Sequence, residues 1–361
     1  YTVLTEQYAN PNAQYPFGQE MRRSVEDWRA VIAKAVGCEA NQLFFTSCGT
    51  EGDNWAIRAA CWQNRHVGRH IVTTAVEHHA VLNCCQQLEQ EGWEVTRLLP
   101  DANGDISAEA VLSAVRPDTA LVSVMMVNNE LGSIYPIADI AKGLKAVNEK
   151  TLLHTDAVQG FLKVPFSAKA LGADFIAISG HKVGAPKGIG ALFVRDSQRQ
   201  TLKPPYLGGH QERGLRPGTE NTPYIVGLGL AAAKGAKNPS DRNAHICALN
   251  AQLRTGLEEL AQQAPITLNS PADAVPEVLN FSTNCVNSQT FIEYLSGRHI
   301  YISGGSACDK GEPSHTLMAM GAPDLTVRTA LRVSFCGDNT PEDVQALLDG
   351  LKDGLKELQH I

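Results

Sequence analysis

The run Ser179-Gly180-His181-Lys182 ends an apolar segment with a primary amine. An amine in an apolar pocket or beside another cation has a lowered pKa and condenses readily with a carbonyl. A lone Lys is most often solvated surface. This one follows a buried-looking strand and precedes a turn holding Gly184, Pro186, Gly188 and Gly190, which lets backbone close on a ligand. Asp156 ends an earlier apolar run, where its carboxylate can hold the ring nitrogen of a pyridine cofactor; a helix N-cap is the plainer alternative. A Schiff-base Lys with an Asp partner to the pyridinium is the signature of pyridoxal 5'-phosphate.

Further residues extend that chemistry. Thr46-Ser47-Cys48-Gly49-Thr50-Glu51 follows a strand and opens a helical pattern. Backbone N–H groups at a helix start, with the Thr50 hydroxyl, suit a phosphate, although such turns serve equally for capping. His78 ends a strand-like run, where its ring can stack on a pyridine face or simply start a helix. Asn129 also ends a strand and can reach a phenolic oxygen or be an ordinary turn Asn. Gln159 follows Asp156 by less than one helical turn. Cys308, in Gly305-Ser306-Ala307-Cys308-Asp309-Lys310, is flanked by small and charged residues, which predicts a mobile, exposed loop rather than core packing. Lys310 favours its thiolate and Asp309 opposes it. Arg332 stands inside the strand pattern Ala330 to Phe335, as a grip for a carboxylate or as half of a surface ion pair. Lys182, Asp156 and Cys308 together point to removal of sulfur from cysteine.

These residues need a scaffold. Leu43 to Thr46, His70 to Ala75, Val95 to Leu99, Ala120 to Val127, Leu152 to Thr155, Phe175 to Ile178 and Ile189 to Val194 read as strands, each short, apolar and bounded by turn residues. Helical spacing at Val25 to Val36, Ala80 to Gln90 and Ile137 to Val147 alternates with them. The alternation predicts an α/β fold with a mostly parallel seven-stranded sheet covered by helices. Ligands on such sheets sit beyond the carboxyl ends of the strands, where Asp156 and Lys182 fall. Gly208 to Asn221 reads as a long loop and Pro223 to Lys237 as a helix. The cluster Asn238-Pro239-Ser240 marks a boundary. Beyond it, helices at Ala244 to Ala261, from Ser314, and at Pro341 to Leu358, capped by Thr340, accompany strand-like runs near Thr267, Leu279, Tyr301 and Ala330 to Phe335. Residues 11–237 are therefore expected to form a large cofactor-binding domain. Residues 238–361, with 1–10, form a smaller α+β domain carrying the Cys loop and Arg332.

Bulk composition narrows the function classes. The 361 residues suggest about two domains, and 43% hydrophobic residues supply a substantial core. With a net charge of −7 and no basic block, nucleic acid is not an expected partner. No apolar run reaches the roughly 18 residues of a membrane span. Nine Cys without a CxxC pair suit a reducing cytosol. The chain starts at Tyr1 rather than Met, so a further segment is expected upstream.

Taken in order, these motifs resemble the cysteine desulfurases of the NifS/IscS type, within the class-V aminotransferase group of fold-type I pyridoxal-phosphate enzymes. The likeness runs from Asn10-Pro11 through Glu77-His78, Val127 to Glu130, Asp156 to Gln159, Ser179 to Lys182, Arg213 to Asn221 and Gly305 to Cys308 to Arg332. It implies that Lys182 holds the cofactor covalently and shuttles the Cα proton, and that Asp156 pairs with the pyridinium. Gln159 and Asn129 would meet the phenolic oxygen, and His78 would stack on the ring. Gly49, Thr50, Ser179 and His181 would hold the phosphate. Thr219 would reach the phosphate of a second copy, which implies a homodimer with shared active sites. Arg332, with Asn10, would grip the carboxylate of L-cysteine. Cys308 would attack its sulfur, leaving alanine and an enzyme persulfide for an acceptor such as an iron–sulfur scaffold protein. No metal is implied. The chain departs from the family at Tyr15, where many members have His, and in a Cys loop that reads Gly304-Gly305-Ser306 and looks shorter.

Other readings on this scaffold are a selenocysteine or cystine lyase and a class-V aminotransferase, since fold and cofactor do not fix the substrate. Neither requires Cys308. A catalytically inert sulfur-assembly scaffold is the reading from another class, and the full set of cofactor residues argues against it.

Overall fold

The computed structural model describes residues 1–237, 239–305 and 313–359. The chain divides into two compact units. The first comprises Tyr1–Leu98, Ser107–Met126 and Tyr135–Asn238; the second comprises Leu99–Ile106, Val127–Ile134 and Pro239–Ile361.

The first unit is built on a seven-stranded sheet. Its strands are β1 (Leu43–Thr46), β2 (His70–Thr74), β3 (Glu94–Leu98), β4 (Thr119–Ser123), β5 (Leu152–Asp156), β6 (Phe175–Ser179) and β7 (Gly190–Val194), in the order β1-β7-β6-β5-β4-β2-β3. Only β7 runs against its neighbours; the other pairings are parallel, as the alternating pattern predicts. Nearly every strand is buried along its whole length, which is why each reads as a continuous apolar run. The helix Gly49–Asn64 lies over β4 to β7. Trp55, Ala56, Ile57 and Ala60 on it pack with Val81 and Leu88 of the helix His79–Gln90 against Phe44, Ile71, Leu121 and Phe175. The helices Pro16–Val36 and Thr222–Lys237 pack on each other.

The second unit has its own antiparallel sheet, ordered β10-β9-β8, from β8 (Thr267–Leu268), β9 (Val278–Ser282) and β10 (Ala330–Ser334). Leu279, Phe281, Leu331 and Val333 from this sheet share a core with Leu249 and Leu253, Phe291 and Leu295, and Leu347 and Leu351. These come from the helices Pro239–Leu260, Ser288–Ser296 and Pro341–Glu357. Thr340 caps the last of these, accepting from Asp343 N–H in a capping box.

The structure differs from the sequence reading at several points, among them Leu99–Ile106, which falls in the second unit, and β4, which ends at Ser123 rather than Val127. The first long helix begins at Pro16, not Val25, because Pro occupies its first turn. Residues 1–10 fall in the first unit, where Thr2–Thr5 form a short helix against Thr222–Lys237. The turn Val127–Ile134 belongs to the second unit. Tyr301 forms no strand: the local backbone makes a single bridge, Ser303 with Arg332, and the Tyr301 side chain is exposed.

Candidate active site

The first unit collects its candidate residues at the carboxyl ends of β1, β2, β5 and β6. Thr46 at the end of β1 and Ser179 at the end of β6 both pair with Gly190, the first residue of β7. A side chain at Gly190 would collide with Ile178 O at 2.7 Å and Cys48 C at 2.9 Å, so glycine is what lets these three ends meet. Gly49, first residue of the helix Gly49–Asn64, is equally tight: a Cβ there would sit 2.6 Å from Val158 and 3.4 Å from Ser179 Cβ. The helix start that carries Thr50 is thereby drawn against Ser179, with Thr50 left exposed. Ser179 Oγ and His181 Nδ1 are hydrogen-bonded at 3.0 Å. Burial, then the charges of Lys182, Lys187 and Lys163, hold His181 below the usual imidazole range. This corner is electropositive and rich in backbone N–H, the composition of an anion site.

Asp156 closes β5 and is 5% exposed. Its Oδ1 accepts from Val158 N–H at 2.8 Å in an Asx turn; the residues that follow form turns rather than a helix, so Asp156 is not the helix N-cap of the plainer reading. Burial is the chief cause that pushes its carboxyl up to about 8, and Val158 N–H and Lys182 oppose the rise. Such a carboxylate lacks a sufficient cation of its own. Lys182 lies in the 3-10 turn Gly180–Val183 after β6, which Gly184 ends in a left-handed conformation at φ 82°. Gln159 lies in the turn after Asp156; its Oε1 accepts from Lys163 Nζ at 2.6 Å, which turns its amide into a donor. His78 is the N-cap of His79–Gln90, its Nδ1 accepting from Ala80 N–H at 3.1 Å. Asn10 lies in a turn ahead of Pro16, its Oδ1 accepting from Asn12 N–H.

Thr219 is exposed on the loop between β7 and Thr222–Lys237. Two ion pairs fix that loop. Arg29 grips Glu212 with two bonds of 2.6 and 2.7 Å, both side chains buried, and Glu212 also accepts from Phe45 N–H. Arg216 grips Glu51, in the first turn of the helix Gly49–Asn64, at 2.8 and 3.0 Å.

The second unit brings Asn129 and Arg332 together: Arg332 Nη1 donates to Asn129 O at 2.9 Å. Arg332 lies on the edge strand β10, and its backbone pairs with Ser303. The turn that presents Asn129 is wound on Asn128, whose Oδ1 accepts from Glu130 and Leu131 N–H, each at 2.9 Å. Asn129 Oδ1 is buried with no hydrogen-bond partner among the described residues. Glu130, fully buried, accepts from Ser314 Oγ and from Thr316 Oγ1 at 3.2 Å. Cys308 lies outside the described residues. The eight other cysteines are free thiols; burial pushes Cys84 up to about 11 and Cys38 up to about 12, and raises Cys61 and Cys85 as well. Thiols held protonated are poor nucleophiles.

Four residues escaped the sequence reading. Asp53 and His154 are buried under the sheet ends, 3.4 Å apart. A signal existed: Asp53 occupies the apolar spacing of Ala56, Ile57 and Ala60, and His154 interrupts an apolar strand. Glu51 and Arg216 pair across 165 positions, and nothing local announces that contact.

Residues 2–347 match the model of the aminotransferase class-V family. The chain is 38% identical to a cysteine desulfurase named IscS from Methanosarcina thermophila, over 99% of this chain and 88% of that protein. Among solved structures, a NifS-like protein superposes with a TM-score of 0.92 at 34% identity, covering 99% of this chain and 94% of the other. A second, SspA in complex with cysteine, gives 0.80 at 34% identity over 92% of each chain. Among the described residues no helix is long and apolar enough to cross a membrane. The chain therefore belongs to the class-V aminotransferase family, and within it to the cysteine desulfurases of the NifS/IscS type.

Proposed function

We propose that this enzyme converts L-cysteine to L-alanine with pyridoxal 5'-phosphate bound in the first unit, and hands the sulfur on through Cys308. The observation that carries the cofactor reading is the buried Asp156 carboxylate, raised to about 8 and short of a cation, in electrostatic contact with Lys182. A protonated pyridine ring supplies that cation. The close approach of Gly49 to Ser179, beside His181 and its lysines, supports a phosphate there. When bound, the cofactor is an electron sink that acidifies the substrate Cα and loosens the Cβ–S bond.

The residues then divide the work. Asp156 keeps the ring nitrogen protonated, and the amide N–H of Gln159 orients the ring. The Lys182 amine would anchor the cofactor, and as a base it would take the proton from the substrate Cα and return one to carbon. Arg332 holds the substrate carboxylate; its Asn129 contact fixes the guanidinium. The Cys308 thiolate attacks the substrate Sγ, forming an S–S bond as the Cβ–S bond breaks with its electron pair left on the carbon side. The products are alanine and a Cys308 persulfide, and the exchange is redox-neutral. Thr219, exposed on a loop held by Arg216 and Glu212, would serve the phosphate of a second copy, and the working unit would then be a homodimer. A sulfur-acceptor protein, such as an iron–sulfur scaffold, would take the persulfide sulfur. The free thiols suit the reducing cytosol.

Incubation with 35S-cysteine and mass analysis tests this reading: a persulfide on Cys308 and one alanine per sulfur are expected. Cys308→Ala should keep the visible absorbance of bound cofactor and lose alanine formation. Normal alanine output from that variant would remove Cys308 from the mechanism.

A further inference from the structure

The first unit buries three coupled acids, Asp53, Glu77 and Asp156. Asp53, on the sheet-facing side of Gly49–Asn64, is 1% exposed, and His154 on β5 is fully buried. Asp53 Oδ1 and His154 Nε2 lie 3.4 Å apart, and neither atom has a hydrogen-bond partner among the described residues. The other His154 nitrogen, Nδ1, is 2.9 Å from Ser123 Oγ. Buried polar atoms are rarely left bare, so a proton between Oδ1 and Nε2 is the arrangement that satisfies both. Glu77, also buried, accepts from Met125 N–H and Thr74 Oγ1. Among the described residues no group of His, Cys, Asp and Glu could hold a metal ion that would neutralise the acids.

We propose that Asp53 is held as a neutral carboxylic acid donating its O–H to Nε2 of a neutral His154, and that this pair positions Asp156 without placing a second buried negative charge beside it. The alternative, a carboxylate facing an imidazolium, would separate two charges in a water-free site, which costs more than a neutral hydrogen bond unless its geometry is excellent. Burial acts on both partners in the direction of the neutral pair: it drives Asp53 well above the carboxylate range and His154 down to about 4. The other titratable groups coupled to this pair are Glu77 after β2, Asp156 on β5, and Cys84 on His79–Gln90; Lys182 acts on Asp156, and Cys85 faces Glu77. None of the acids and thiols among them adds a cation to offset an ionised Asp53. His154, bonded on one side to Ser123 and on the other to Asp53, is fixed as the Nδ1–H tautomer. The strand end that carries Asp156 two residues later is thereby locked.

The link to Asp156 rests on the cofactor role proposed above; the protonation of Asp53 does not. Infrared difference spectra of the full chain against Asp53→Asn should show the carbonyl band of a protonated acid that the variant lacks, with or without cofactor. Nitrogen-15 histidine spectra should show one ring with an unprotonated, hydrogen-bonded Nε2 that persists across neutral pH. In the loaded protein, Asp53→Asn should move the pH midpoint of the cofactor's visible absorbance by less than about 0.3 unit, a factor of about two. Asp53→Leu should alter the His154 signal, and Asn at the same position should restore it. Absence of the acid band, or a midpoint lower by about one unit in Asp53→Asn, the tenfold mark of a lost negative charge, would overturn the proposal. A wild-type protein that binds no pyridoxal phosphate would defeat the cofactor reading while the infrared and nitrogen signals still decided this one.

Discussion

The candidate residues of the two units meet burial differently, although the first unit also holds the fully paired Arg29–Glu212. In the second, Glu130 is fully buried yet receives Ser314 and Thr316, and Arg332 rests on the Asn129 carbonyl. In the first, Asp156 and Glu77 are both pushed up to about 8 and His154 down to about 4, chiefly by burial. In the second unit hydroxyl donors and a backbone carbonyl meet the charges of Glu130 and Arg332, while Asn129 Oδ1 is among the buried atoms with no hydrogen-bond partner among the described residues. The first unit is built short of positive charge at the very strand end where a protonated ring would supply it. On the proposed function, one unit would be a grip complete before substrate arrives, and the other a cradle that its cofactor would complete.

That contrast predicts different consequences for damage to each unit. Lys182→Ala, in the cradle, should remove the visible absorbance of bound pyridoxal phosphate and lower alanine formation by about a thousandfold or more, read by spectrophotometry and amino-acid analysis. Arg332→Lys, in the grip, should keep the absorbance and raise KM for cysteine by about 10- to 100-fold, because a point charge does not replace a planar fork. Loss of absorbance in Arg332→Lys would erase the division between the units.

The pH dependence of stability sharpens the comparison. Asp156 and Glu77 have folded pKa values raised above their unfolded ones. The stability they contribute is full below about pH 4 and is lost as pH rises through about 8. His154 is depressed, so its contribution is full above about pH 6.5 and lost as pH falls through about 4. Between pH 6.5 and 8 only the acids are changing. The Tm of the cofactor-free protein should fall across that window, and loading with pyridoxal phosphate should flatten the slope as Asp156 gains a cation. An equal slope in both forms, by calorimetry, would mean that Asp156 does not meet the ring. The smallest effect is expected at Arg216→Ala, which frees the Thr219 loop from Glu51 and should weaken cofactor binding about threefold, since the lost pair is only partly shielded from water.

Local chemistry was legible in the sequence where it is carried by short motifs. The ends of β5 and β6, the turn at Gly49 and the cap at Thr340 announce themselves by residue type within a few positions. The start of the first helix was harder, because Gly18 and the polar residues Gln19, Glu20, Arg22 and Arg23 mask its apolar spacing. Tyr301 looked strand-like through its β-branched neighbours, yet only the backbone of Ser303 found a partner on β10. The roles of Asp53, His154 and Glu130 could not be read, because burial of a charge is a property of the packed fold. The Glu51–Arg216 and Arg29–Glu212 pairs join residues far apart in sequence, and pairing at such range leaves no local periodicity.

Borohydride reduction of the loaded enzyme, followed by peptide mapping, tests the central claim most directly. A single pyridoxyl-modified peptide is expected, with the label on Lys182. Label on Lys163 or Lys187 instead, or no label on an enzyme that still produces alanine, would contradict it.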